Sequence, residues 1–272
     1  MYKINNFLDN DDIRIIDELE NIKIIEYVKD LSVNPYTCIT QYYASVMNVR
    51  KRQAVIELDK SEFTVSAGAM QWMLGSIQTN SDIKGVGDFL GKAIKGSVTK
   101  EGAVKPKYSG TGVLVLEPTY NHLIIEDLAN WGNGMVIDDG MFLGCESKVR
   151  YDVIMRSNLS SAVLGNQGLF SLRLSGSGLA ILESPVPRGE LIEIELVNDE
   201  IKIDGNFAIA WSDTLEFTVE KSGKSLIGSA VSSEGFVNVY RGTGKILLAP
   251  VLSLTNYSTN TLNKQTIIAS GK

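Results

Sequence analysis

Histidine is almost absent: His122 is the single imidazole in 272 residues, and cysteine is limited to Cys38 and Cys145. Neither a multi-histidine metal site nor the usual zinc ligand set can be assembled from these within one chain, so no metal or other cofactor is expected. A Ser-His-Asp triad would need His122 as its base, and no nucleophile-elbow pattern accompanies it. The two cysteines do not form a Cys-x-x-Cys pair and are expected to be reduced thiols packed as small hydrophobes. Positive charge is in deficit, with 26 Lys+Arg against 32 Asp+Glu and a net charge of −6. That field repels phosphate backbones, which argues against nucleic acid as a partner. No uncharged apolar stretch of 18 residues occurs, and the first residues, MYKINN, lack a signal-peptide core. The expectation is a cytoplasmic protein without a membrane span.

What the chain has in quantity is a recurrent glycine pattern. Residues 108–118 (YSGTGVLVLEP), 174–185 (LSGSGLAILESP) and 240–250 (YRGTGKILLAP) share one phrase, with Gly110, Gly176 and Gly242 each 66 residues apart. The second glycines are Gly112, Gly178 and Gly244. A further glycine, Gly102, Gly168 or Gly235, stands seven or eight residues upstream of the first glycine of each phrase. Another landmark recurs in SAGAM, DDGMF and IDGNF, which set Gly68, Gly140 and Gly205 between apolar runs. A fixed period of this kind marks one supersecondary unit built three times. The runs around the glycines are short and β-branched, which predicts an all-β fold: three units of a short double-stranded β-helix or sandwich about a pseudo-threefold axis. All twelve glycines are expected to be structural turns, with the Gly-x-Gly pairs at hairpin corners where positive φ is needed. The competing structural reason is close approach of neighbouring strands.

Strands are expected at 22–28, 44–49 and 54–58, and a weak helix at 83–94. The chain divides into an N-terminal extension (1–34), one three-repeat β domain (35–252) and a polar tail (253–272), expected to be disordered.

Three runs carry a family likeness: IDGNFAIAWSD at 203–213, LEFTV at 215–219 and GFVNVYRGTGKILLAP at 235–250. They resemble the C-terminal part of the altered inheritance of mitochondria family, member twenty-four, and the resemblance runs from about residue 35 to 252. It implies a fold like that of the tryptophan RNA-binding attenuation protein, with three units per chain and assembly into rings or trimers. In mitochondria the family is linked to the inner membrane and its organising complex, and its bacterial members have no established activity. RNA binding is not carried over, because residues 49–52 (VRKR) form the one basic cluster and are expected to be a solvated strand end.

Other candidates are weighed residue by residue. The Gly-x-Gly turns open onto strands, so they are not phosphate loops. Asp139 and Asp204 precede repeat glycines and are expected to serve turns rather than acid-base chemistry. Trp211 and Asp213 are the candidate ligand or interface residues, with Trp72 and Trp131 as further pocket-lining aromatics. The lysine- and glycine-rich segment 83–95 could touch anionic lipid weakly. The expected function is a non-enzymatic oligomeric β-scaffold or adaptor, a homotrimer with a protein partner. A small-ligand module and a weakly membrane-associated organiser are the alternatives.

Overall fold

The computed structural model describes residues 2–80, 105–132, 134–155, 170–221 and 236–251. The expected helix at 83–94, the glycines Gly102, Gly168 and Gly235, and the polar tail lie outside these residues. Apart from one α-helix and two 3-10 turns, the described elements are strands, and they form two antiparallel sheets of eight and seven strands.

The chain opens with a hairpin, β1 (Ile13–Leu19) and β2 (Ile22–Tyr27). Its second strand pairs with β3 (Arg52–Val65), so residues set apart in sequence as an extension are hydrogen-bonded into the first sheet. Ile22 and Ile24 are fully buried in the core beneath that sheet. Between β2 and β3 runs the helix α1 (Cys38–Val46), which corrects the expected strand at 44–49. Alternating Ala44-Ser45-Val46 reads as a strand locally. Asn34 fixes the turn before the helix, its Oδ1 accepting from the backbone N–H of Tyr36 and Thr37, and α1 buries none of its residues. Without a buried face, the period-two signal had no sheet to fit.

Next come β4 (Met70–Asn80) and β5 (Lys107–Leu116), with β5 lying between β3 and β4. The central stretch holds six strands: β6 (His122–Asp127), β7 (Met135–Ile137), β8 (Phe142–Glu146), β9 (Val149–Met155), β10 (Phe170–Gly176) and β11 (Leu179–Ser184). β11 pairs with β6 and β8 in the first sheet, while β10 pairs with β7 and β9 in the second. The backbone therefore passes between sheets at five places: the 3-10 turn Leu128–Trp131, and residues 138–141, 147–148, 177–178 and 185–191. Last come β12 (Ile192–Ile203), β13 (Ala208–Ser212), β14 (Glu216–Lys221) and β15 (Phe236–Leu248), with β15 paired to β12 on one side and to β13 and β14 on the other. Two short junctions tie the groups together: β3 with β8, and β7 with β13.

The Gly-x-Gly pairs need correction. Gly110 and Gly112 stand inside β5, and Gly242 and Gly244 inside β15, rather than at hairpin corners. Opposite them the partner strand carries an extra residue: Leu58 pairs with Gly112 and Ser61 with Gly110, leaving Asp59 and Lys60 against Thr111. The N–H of Lys60, at φ 50°, donates to Thr111 Oγ1 at 3.1 Å. The same bulge recurs in β12, where Asn198, at φ 52°, donates to Thr243 Oγ1 at 3.0 Å. Glycine is needed because β4 comes close: a Cβ on Gly110 would lie 2.0 Å from the Ser76 carbonyl oxygen. Gly176 does immediately precede a bend and Gly178 lies in it, the one at 177–178 where the chain changes sheet. Gly68, Gly140 and Gly205 have φ of 79°, 87° and 75°, in the left-handed region that tight turns use.

Candidate functional site

Most of the chemistry that the sequence hides from view gathers where the N-terminal hairpin meets β3. Glu26 of β2 and Arg52 of β3 face each other almost completely buried, with Arg52 Nη2 at 2.7 Å from Glu26 Oε2. Glu26 Oε1 also accepts from Arg14 of β1 at 2.7 Å and from Arg50 at 3.0 Å. Burial alone would raise the Glu26 carboxyl, but the hydrogen bonds and charges of the three arginines outweigh it and hold the group below its usual range. Arg52 spends its remaining Nη donors on the backbone carbonyls of Asn48, Arg50 and Tyr120 and on the Asn48 side chain. The VRKR cluster is thus corrected from a solvated strand end to an anchor in which Arg52 is buried and Arg50 and Lys51 are half-buried, with Lys51 paired to Asp30 at 2.7 Å. Such a cluster fastens strands; its carboxylate is engaged on both oxygens by fixed cations.

His122 opens β6 beside this cluster. Burial and the Arg52 charge push its pKa down to about 4, so the imidazole is neutral at physiological pH. A second buried carboxylate, Glu126 of β6, accepts from Trp131 Nε1 at 3.0 Å and from Arg188 Nε at 2.7 Å. Arg188 in turn reaches Glu193 of β12, and Lys245 of β15 lies over the Trp131 ring at 4.4 Å. This chain of contacts ties the two sheets together at the 3-10 turn.

The sequence candidates Trp211 and Asp213 are brought close to each other but turned to different work. Trp211 is buried in the core, stacked on Phe217 with ring centroids 5.9 Å apart and edge-on to Tyr240 at 5.2 Å. Asp213 accepts from Arg173 Nε at 2.8 Å. Trp131 is likewise core, and Trp72 packs against Phe7 at 5.3 Å. Of the cysteines, Cys145 is buried with its thiol pushed up to about 12 by that burial, whereas Cys38 is exposed, which corrects the expectation of two packed thiols. Among the described residues no group of three His, Cys, Asp or Glu side chains could hold a metal ion, and no helix is long and apolar enough to cross a membrane.

The surface feature that sequence reading missed is α1. From Leu31 to Val49 the chain has no charged residue, and Tyr36, Ile39, Tyr42, Tyr43, Val46 and Met47 all stand exposed, Tyr36 at 95% and Met47 at 75%. The signal available was the uncharged run itself; the strand expected at 44–49 implied a buried face instead.

A family model described as mitochondrial biogenesis AIM24 matches residues 45–251. No curated protein matches the chain. Among solved structures, the chain is similar to the crystal structure of protein SPYM3_0169 from Streptococcus pyogenes, with 21% identity, a TM-score of 0.57, and coverage of 93% of this chain and 99% of that one. At that identity the likeness speaks for the fold. The hairpin β1–β2 and most of α1 precede the residues that the family model covers.

Proposed function

The chain belongs to the mitochondrial biogenesis AIM24 family, and from that premise we propose that it is a non-enzymatic β-scaffold that self-assembles, as a trimer, and presents an adaptor surface to a protein partner. The observation that carries this reading is the exposed apolar surface of α1 and its flanks. Contiguous apolar groups left in water mark surfaces that another molecule covers. Consistent with it, the buried ionisable clusters at Glu26 and Glu126 have their carboxylates taken up by arginines that join strands. A cytoplasmic location belongs to the same proposal.

The body of the scaffold is read as three units about a pseudo-threefold axis. Three parallels support it: β5 between β3 and β4, β10–β11 between β6–β7 and β8–β9, and β15 between β12 and β13–β14. In each group the third segment in sequence takes the central place. The bulged register at 70–72, 142–144 and 208–210 recurs as well.

Light scattering on the purified full chain tests the assembly. The expected particle has about three times the 29.7 kDa chain mass across micromolar concentrations. A monomer throughout that range would refute the scaffold reading.

A further inference from the structure

Within the chain, one strand group is joined to the next by a repeated junction. The end of β3 pairs with the last three residues of β8 through Phe63–Glu146, Thr64–Cys145 and Val65–Gly144, and the N–H of Ser66 donates to the Leu143 carbonyl at 2.9 Å. In the same way β7 pairs with the last three residues of β13 through Met135–Ser212, Val136–Trp211 and Ile137–Ala210, and the N–H of Asp138 donates to the Ile209 carbonyl at 2.9 Å. Leu143 and Ile209 are both the extra residue of a bulge, placed so that the carbonyl faces the neighbouring group.

The next junction in this series would join the end of β12 to the start of β4. Ile201, Lys202 and Ile203 pair with Tyr240, Val239 and Asn238, in the places where Met135 and Ile137 pair with Leu174 and Leu172. On the other side, Gln71 is the extra residue of the bulge between Met70 and Trp72, matching Leu143 and Ile209. Yet among the described residues β12 pairs with β15 alone and β4 with β5 alone. Each chain thus carries both halves of one junction, unjoined, at two separate edges.

We propose that these edges join between chains: the segment Ile201–Asp204 of one copy adds as an antiparallel strand to Gln71–Leu74 of a second copy. The register is fixed by the two internal junctions: Ile203 opposite Trp72, Lys202 opposite Met73, Ile201 opposite Leu74, and the N–H of Asp204 donating to the Gln71 carbonyl. The facing side chains suit one another, since two of the three pairs are branched aliphatic against a large apolar partner. Open strand edges are templates for added strands, and a head-to-tail contact of this kind closes into a ring when its rotation allows. This inference rests on the self-assembly proposed above and supplies its interface.

Disulfide trapping tests it. In a Cys38→Ser background, Met73→Cys and Lys202→Cys are made as separate chains, co-expressed, and oxidised as the intact assembly. The expected result is a covalent dimer from the co-expressed pair and none when Lys202→Cys is paired with Gln78→Cys, which lies out of register. A chain bearing both Met73→Cys and Lys202→Cys should cross-link between chains. A link confined to single chains, or no link in a particle of trimeric mass, overturns the proposed interface while leaving self-assembly standing. A monomeric particle removes both.

Discussion

At the scale of single residues, isolation turned out to be informative in a different way from the one composition suggested. His122 is alone, so no multi-histidine site can form within the chain, but its place at the start of β6 makes it a pH reporter. Its pKa falls from 6.5 to about 4 on folding because burial and Arg52 disfavour the cation. The unfolded chain therefore takes up a proton below pH 6.5 that the folded chain refuses, and stability is lost as pH falls from 6.5 toward 4. The imidazole keeps some contact with water, so the loss is on the order of 1–2 kcal/mol. His122→Asn should flatten that part of the stability profile, measured as urea midpoints at pH 7 and pH 5; an unchanged slope would show that other groups govern it. Sequence indicated that His122 was not catalytic, but the Arg52–Glu26 pair next to it could not be foreseen. The two residues lie 26 positions apart on strands whose pairing a single sequence does not reveal.

At the scale of elements, strand content was legible and the role of glycine was half legible. Alternation identifies β2 and the first half of β3, and the glycines expected in turns at 68, 140 and 205 have positive φ. The Gly-x-Gly pairs were misplaced because a glycine required by a close neighbour looks, in sequence, like a glycine required by a corner. One clue was available: in β3 the core residues are Ala54, Ile56 and Leu58, then Phe63 and Val65, a change from even to odd positions that a bulge produces. The consequence is measurable. Gly110→Ala would push a methyl into the Ser76 carbonyl and should cost about 2–3 kcal/mol. Gly189→Ala, where nothing lies within 4 Å, should stay within about 0.5 kcal/mol of the parent. Equal urea midpoints for the two variants would contradict the close approach of β4 to β5.

At the scale of the molecule, the all-β class followed from composition and periodicity, whereas the division of the central stretch between two sheets did not. Nothing in the sequence of β8 and β9 distinguishes one bent strand from two, because the break at 147–148 depends on which neighbours each half finds. That division implies that the sheets unfold together. Trp211→Ala removes a core side chain from the second sheet and should cost about 3–5 kcal/mol. In a Trp131→Phe background, where Trp72 of the first sheet is the one indole left, its fluorescence should then report the same lowered midpoint as circular dichroism; two separate transitions would show the sheets to be independent. The five crossings between sheets also have a mechanical meaning. A pull that separates the sheets loads the backbone at 128–131, 138–141, 147–148, 177–178 and 185–191 together, so the joint behaves as a five-ply strap and not as a single tether.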